Sequence, residues 1–439
     1  MAITWAALAW AQTDPLGRWG DDDRHVAARR QSLFPCRQYA SNRFSSSSLI
    51  FPMPAEHNVK QRYAAAAKAP EAALCCPVEY NRRFLEIIPS EVIEKDYGCG
   101  DPSRYVRAGE TVLDLGSGTG KICFIAAQVV GPTGRVIGVD MTDEMLEVAR
   151  RNAPIVAERL GFANVEFRKG RIQDLALDLD RLDQELRERP VTDATSFLAA
   201  EALADELRVR APLVATGTVD VVVSNCVLNL VEPRAKRTLF EEIFRVLKKG
   251  GRAVISDIVA DEDVPEAMQQ NPELWSGCIS GSLTEEGFLQ AFADAGFHGI
   301  HLRKRDPAPW RTVEGIEFRS VTVEAFKGKQ GPCIERNQAA IYLGPFREVL
   351  DDDGHRLVRG RRYAVCDKTY QLYGQEPYRA HFALVGPRDD IPLADAKPFD
   401  CTVNRLRHPK ESKGHDYIAT TAVSAGCDPA SAGSTGSCC

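Results

Sequence analysis

The sequence predicts an α/β fold: a parallel sheet built from βαβ units, carrying a helical insertion and followed by a smaller β-rich C-terminal region. Three observations carry this. From residue 111 short apolar runs alternate with amphipathic stretches, the pattern of strands followed by crossover helices. A glycine loop, GSGTG, leads from the first of these runs straight into a helix. Beyond about 300 the texture changes to short alternating runs with turn residues, as in DDDGHRLVRGRRYAVCD.

The opening stretch, MAITWAALAWAQT, is apolar with an A-x-A-like end but has no basic residue ahead of it, a poor fit to a secretory signal. The Arg- and Ser-rich RHVAARRQSLFPCRQYASNRFSSSSL that follows fits a transit-like segment or an over-extended start, and residues 1–52 are expected to be disordered. The sheet domain is expected over 53–305. TVLDLG (111–116), RVIGVD (135–140), VEFRKG, VDVVVSN and RAVISDIV read as strands one to five. Helices fall on KICFIAAQVV, on DEMLEVARRNAPIVAERLG, where Pro154 should kink or split the helix, and on RAKRTLFEEIFRVLKK, closed by Gly250-Gly251. TEEGFLQAFADAG is a helix capped by Thr284 and ended by Gly296. Residues 175–216, rich in Leu, Glu, Asp, Arg and Ala, read as two inserted helices with solvated charged faces. A β-rich region is expected over 306–385, and the Pro-, Asp-, Ser- and Gly-rich 386–439 as a disordered cysteine-containing tail.

Composition excludes several classes. The 439 residues are enough for two or three domains, and 44% of them are hydrophobic. A net charge of −6 offers nothing to nucleic acid or an anionic membrane. No apolar run is long enough to span a bilayer. Thirteen cysteines without a C-x-x-C argue against a zinc ribbon or a thioredoxin-like site.

The first strand ends in Asp114, and Gly116, Gly118 and Gly120 form a loop at a helix N-terminus, where free N–H groups can meet a ligand. The second strand ends in Asp140, placed to accept ribose hydroxyls, and Ile172 and Gln173 follow the third strand where an adenine edge would lie. The G-x-G-x-G spacing differs from the G-x-G-x-x-G of dinucleotide enzymes, although an NAD-binding domain or a degenerate copy stays open on these residues alone. Together they resemble the class I S-adenosyl-L-methionine (SAM)-dependent methyltransferases. The resemblance implies a seven-stranded Rossmann-like sheet and cofactor contacts from Asp114, Gly116, Ser117, Gly118, Gly120, Asp140, Met141, Ile172, Gln173 and Asn225.

The thiols narrow the reading. Cys226 ends the fourth strand and Cys278 follows the fifth, both on the ligand-binding edge of the sheet, and with Cys99 in a turn-prone loop just before the first strand the three can line one cavity. YGCG, GVDMT, SNCVLNL, RVLKKGGRAVISDI, LWSGCISGSL and EFRSVTVEAFKG resemble the arsenite methyltransferases, in that order and with similar context. VKQRYAAAAKAPEAALCCP resembles that family's N-terminal helix and cysteine pair. The resemblance spans 58–327 apart from the insertion. It implies that Cys99, Cys226 and Cys278 hold trivalent arsenic as substrate, and that Cys75 or Cys76 takes part in thiol–disulfide exchange with an external reductant of thioredoxin or glutathione type. It also implies a cytoplasmic, monomeric detoxification enzyme with no nucleic-acid or membrane partner. The family commonly carries cysteine where this chain has Ser117.

Soft trivalent arsenic selects thiolates, and its lone pair is a nucleophile with no proton to lose. The sequence accordingly names no clear acid–base pair near these motifs. A different small-molecule acceptor, which would need a proton acceptor, and a non-catalytic metalloid-sequestering protein are the alternatives. Cys123, Cys333, Cys366 and Cys401 read as packing residues.

Overall fold

The computed structural model describes residues 55–69, 71, 78–95 and 97–421. The expected disorder of 1–52, the Cys75-Cys76 pair, and the thiols Cys427, Cys438 and Cys439 lie outside the described residues.

Helix α1 (Ala55–Ala66) and two short helices, α2 (Arg82–Leu85) and α3 (Ser90–Glu94), precede the sheet. There follow β1 (Thr111–Leu115), α4 (Lys121–Val130), β2 (Arg135–Asp140), α5 (Asp143–Leu160) and β3 (Val165–Lys169). The insertion is the helix pair α6 (Leu179–Glu188) and α7 (Ala194–Arg210), as its periodicity predicts. Then come β4 (Val219–Asn225), α8 (Pro233–Val246), β5 (Leu247–Ala260), α9 (Glu266–Gln269), α10 (Pro272–Ser276) and α11 (Glu285–Asp294). Three further strands, β6 (His298–Arg305), β7 (Arg311–Val313) and β8 (Ile316–Phe326), complete this part.

Seven strands run in the order β3-β2-β1-β4-β5-β8-β6, with β7 paired to the outer end of β8. β1 to β5 are parallel and β8 enters antiparallel, from Arg252 opposite Phe326 to Ala260 opposite Phe318. Helices cover both faces, which is why β1 and β4 carry near-continuous runs of buried Val and Leu rather than an alternation. The chain order reverses between β1 and β4, and the crevice beyond their carboxyl ends is where such sheets take ligands.

Four expectations are corrected. Pro154 neither ends nor divides α5, which is a single helix, because Val148, Ala149, Asn152 and Val156 bury one continuous face on both sides of it. Gly250 and Gly251 do not cap α8; they lie inside β5, where a Cβ on Gly251 would stand 2.9 Å from the Asp220 carbonyl oxygen. The sheet domain does not stop at 305, since β8, an interior strand, runs to Phe326.

The fourth correction concerns 386–421. The C-terminal region holds β9 (Ile334–Glu335), β10 (Ala339–Tyr342), β11 (Glu348–Leu350), β12 (Arg356–Val358), β13 (Arg362–Ala364), α12 (Asp367–Tyr373), β14 (Phe382–Val385), β15 (Lys397–Pro398) and α13 (Pro409–Lys413). Strands β13-β10-β14 form a small sheet over Ala340, Tyr342, Leu357, Tyr363 and Tyr373. The expected tail is part of this unit: β15 pairs with β9, and buried Arg407 bonds Glu335 at 2.6 Å and Glu411 at 3.0 Å. Its polar composition suggests solvation, but its charges are consumed internally. This region joins the main sheet through the Gly299 amide, which donates to Asp352 (2.9 Å), and through His298 stacked on Tyr378.

Candidate active site

At the carboxyl ends of β1, β2 and β4 lies a cavity of about 840 Å³. Its floor is the glycine loop. Gly116 (φ +67°) has no room for a side chain, since a Cβ would stand 2.6 Å from Val227 Cγ1, and Gly120 (φ +94°) is equally closed by Phe167. Gly118 (φ +52°) faces open space. Its amide donates to Asp140 Oδ2 (2.9 Å), while Asp140 Oδ1 accepts from Thr142 N (2.8 Å). Burial raises its pKa, against hydrogen bonds from the Thr142, Gly118 and Met141 amides and the Thr142 hydroxyl.

Gly116, Gly118, Asp140, Met141, Ile172 and Gln173 all line this cavity. Asp114, Ser117, Gly120 and Asn225 do not. Asp114 lies behind the loop, where its carboxylate accepts from the Cys123 thiol (3.2 Å). Ser117 Oγ is buried in the loop with no hydrogen-bond partner among the described residues. The insertion, whose role sequence leaves open, supplies Leu179, Leu182 and Leu186 of α6 as one wall, and α1 supplies Val59 and Tyr63 as another.

Beside the cavity the three predicted thiols share one apolar cluster, with the Cys278 sulfur outside the closest group of ligand atoms. Cys99, Cys226 and Cys278 are buried in one apolar cluster, and Val59, Tyr63, Met141, Val227 and Leu230 belong both to it and to the cavity wall. The Cys99 and Cys226 sulfurs and the Asp257 carboxylate lie within 4.8 Å of one another. Cys278 Sγ donates to the Cys226 carbonyl (3.0 Å), and Tyr63 Oη lies 3.9 Å from it. Both Cys226 (φ +64°) and Cys278 (φ +60°) adopt the left-handed conformation, at a cost of about 1–2 kcal/mol each for a residue with a Cβ. Such strain is held only where the surroundings enforce it. Here the Cys226 amide bonds Ser256 O (2.8 Å), and Asn229 donates to Ile258 O, Cys278 O and Ser282 Oγ at once.

Asn225 faces the loop before β1. Its Oδ1 accepts from the amides of Cys99 and Gly100 (both 3.0 Å), and its Nδ2 donates to Gly100 O (2.9 Å). The side chain clamps the Cys99 loop. Its amide makes this geometry because β4 ends directly under that loop.

Sequence reasoning missed three groups. Asp257, in the buried strand β5, is pushed up to about 6 by burial, against bonds from the Ile258 and Leu228 amides. Lys236 is pushed down to about 8 by burial, with the Asp257 charge opposing, and its ammonium bonds the Leu228 and Gly281 carbonyls. Tyr63 is raised by burial and then by the Cys278 and Cys226 thiols, so it stays protonated. An acid in the apolar run VISDIV is the one signal that pointed to any of them.

Comparison with known proteins fits this arrangement. A family profile described as "Methyltransferase domain" matches residues 107–296, and one described as "Domain of unknown function (DUF8838)" matches 329–417. The arsenite methyltransferase of Aquipseudomonas alcaligenes is 32% identical over 332 residues, covering 72% of this chain and 86% of that one. The chain belongs to the arsenite methyltransferase family. The human arsenite methyltransferase is 32% identical over 328 residues, covering 71% of this chain and 77% of its own. The crystal structure of an arsenic(III) S-adenosylmethionine methyltransferase from Chlamydomonas reinhardtii is 27% identical, with a TM-score of 0.48, covering 77% of this chain and all of that one. As an arsenite methyltransferase family member the chain is a SAM-dependent methyltransferase, and the cavity suits that cofactor. It offers the Asp140 carboxylate in its lining, an open approach at Gly118, and apolar walls from Ile172 and α6. Among the described residues no helix is long and apolar enough to cross a membrane.

Proposed function

We propose that this enzyme methylates trivalent arsenic, held as substrate by Cys99, Cys226 and Cys278. One observation carries the reading: thiols from three distant segments converge in an apolar cluster that shares Tyr63, Met141 and Val227 with the wall of the cofactor cavity. Bound S-adenosyl-L-methionine supplies an electrophilic methyl group. The chain's own contribution is placement. Three thiolates satisfy the arsenic and leave its lone pair as nucleophile, and burial of the pocket keeps water out. Proximity and alignment then supply most of the acceleration.

The lone pair becomes the new As–C bond, so arsenic is formally oxidised by two electrons and must be reduced before another turnover. Two cysteine thiols can deliver those electrons by forming a disulfide, which an external thiol reductant resets. Cys75 or Cys76 is the proposed partner. Arg62 on α1 bonds Ser276 Oγ (2.9 Å) next to the Cys278 loop and also Glu71 (3.0 Å), so the chain is tethered close by. Four residues from there to Cys75 reach up to about 14 Å.

The test is arsenite binding and product speciation with the reduced enzyme and SAM. Cys226→Ser should abolish methylation and weaken arsenite binding while SAM affinity holds. Loss of SAM affinity in that variant would instead make Cys226 structural. Asp257 favours one second reading, a carbon, nitrogen or oxygen acceptor whose proton it would take. Methylated arsenic absent from the products, with SAM still bound, would select that reading.

A further inference from the structure

Three cysteines outside the active site also converge. Cys333, Cys366 and Cys401 bring their sulfurs within 4.8 Å of one another in the C-terminal region, although 68 residues separate the first from the last. The fold builds this contact deliberately. β9 and β15 pair antiparallel, and the Phe399 amide donates to Cys333 O (2.9 Å), which sets Cys333 against the turn holding Cys401. Cys366 precedes α12, where its sulfur accepts from Thr369 N (3.4 Å), and Arg336 ties α12 to β9 through Asp367 (2.9 Å).

We propose that Cys333, Cys366 and Cys401 form a second three-thiol site that binds a trivalent arsenical, giving the C-terminal domain a metalloid-holding role apart from methyl transfer. The occupant is taken from the reading of arsenic as the methyl acceptor. The donor set itself decides against zinc. A structural zinc takes four ligands, and among the described residues no fourth Cys, His, Asp or Glu joins this group. Trivalent arsenic makes three bonds and keeps a lone pair, so three sulfurs complete it.

The electrostatics agree. Burial pushes the Cys333 thiol up, but the Cys401 and Cys366 sulfurs and the Lys368 ammonium more than offset this and hold it below the usual thiol range. Burial and the neighbouring sulfurs raise Cys401. The lowered Cys333 thiol, held beside two other sulfurs, starts the exchange. Binding is a condensation without redox change: three As–O bonds of arsenious acid break, three As–S bonds form, and each thiol proton leaves with a hydroxyl as water. Access is at hand, because Pro332 and Ile334, which flank Cys333, and Asp367, which follows Cys366, line a cleft of about 640 Å³ between the two parts of the chain.

The experiment uses the full-length reduced protein, with arsenite as probe and arsenic per chain counted after desalting. Wild type is compared with Cys366→Ser, Cys401→Ser and Cys226→Ser, and with Cys226→Ser combined with Cys401→Ser. Cys366→Ser and Cys401→Ser should each lower bound arsenic by one per chain, with or without Cys226. X-ray absorption of arsenic on Cys226→Ser protein should report sulfur-only coordination that Cys401→Ser diminishes. Cys401 is the more exposed of the pair, so that variant guards against a folding defect in Cys366→Ser. Unchanged stoichiometry in Cys401→Ser overturns the proposal, as does zinc that co-purifies through these cysteines and resists arsenite. Cys226→Ser failing to lose arsenic would count against the methyl-acceptor site alone, leaving the Cys401 difference to be read independently.

Discussion

Asn225 separates two accounts of the active site, and replacing it with alanine tests them directly. In the structure its carboxamide holds the Cys99 loop through the Cys99 and Gly100 amides and the Gly100 carbonyl, all buried. A Cβ on Gly98 would come within 2.1 Å of its Nδ2, so the loop is packed directly against it. Asn225→Ala strands two buried N–H groups, each costing about 1–3 kcal/mol without a partner. The Gly100 carbonyl keeps the Tyr80 hydroxyl (3.1 Å), and Ser320 still donates to Cys99 O (2.7 Å). The chain therefore folds, and the loss of about 2–6 kcal/mol is relieved by movement of the loop, which displaces one of three thiols. Arsenite affinity should fall by at least tenfold, a mere 1.4 kcal/mol of that cost. SAM affinity should change less than about twofold, a few tenths of a kcal/mol. Asn225→Asp keeps the acceptor for both amides and should fall between wild type and alanine. The assay is titration calorimetry with SAM and with arsenite on the reduced protein. If alanine weakens SAM and spares arsenite, Asn225 is a cofactor contact and the clamp is wrong.

Other perturbations follow from single observations. Gly118→Ala places a methyl in a left-handed residue open to the cavity, so stability should drop by about 1–2 kcal/mol and SAM affinity should fall in the same titration. Gly281→Ala would bring a Cβ to 1.9 Å from the Asn229 carbonyl oxygen, beside the bonds that hold Cys278, and should cost about 1–3 kcal/mol in urea unfolding along with arsenite affinity. His298, buried at the seam with the C-terminal region, is pushed down to about 4 by burial, so its neutral form stabilises the fold above pH 6.5 and that stability is lost as pH falls toward 4. The window is worth about 3 kcal/mol, and His298→Phe should flatten the fall in thermal stability over it. Parallel pH profiles for the two proteins would refute the assignment.

How much of this was readable beforehand follows from where each signal lives. β1 to β5 were legible because strands buried on both faces read as unbroken apolar runs, and the glycine loop because positive φ at Gly116 and Gly120 excludes other residues. Gly250 and Gly251 misled for the complementary reason: a glycine pair after an amphipathic run is a helix stop by local chemistry, and only the flanking pairs at Leu247 and Arg252 and the backbone bonds to Lys327 make it part of a strand. Asp257 and Lys236 were hidden because their meaning is mutual, an acid on β5 and a base on α8 brought together by packing.

The two thiol clusters make the sharpest contrast, since each joins cysteines far apart in sequence. Cys99, Cys226 and Cys278 are separated by 127 and 52 residues, yet the family motifs around them named all three, and the parallel sheet puts Cys226, directly after β4, at the crevice. Cys99, ahead of β1, is held there by the Asn225 bonds, and Cys278 by the turn after α10. No such rule serves Cys333, Cys366 and Cys401. Their contact depends on β9 and β15, two-residue strands with no periodicity to read, and on an ion pair from Arg336 to Asp367 that fixes α12 against them. A thiol site built on a regular sheet announces itself through the sheet. One built on short irregular pairings becomes visible only when the sulfurs are seen side by side, so packing was the natural assignment for cysteines that a metalloid can bridge.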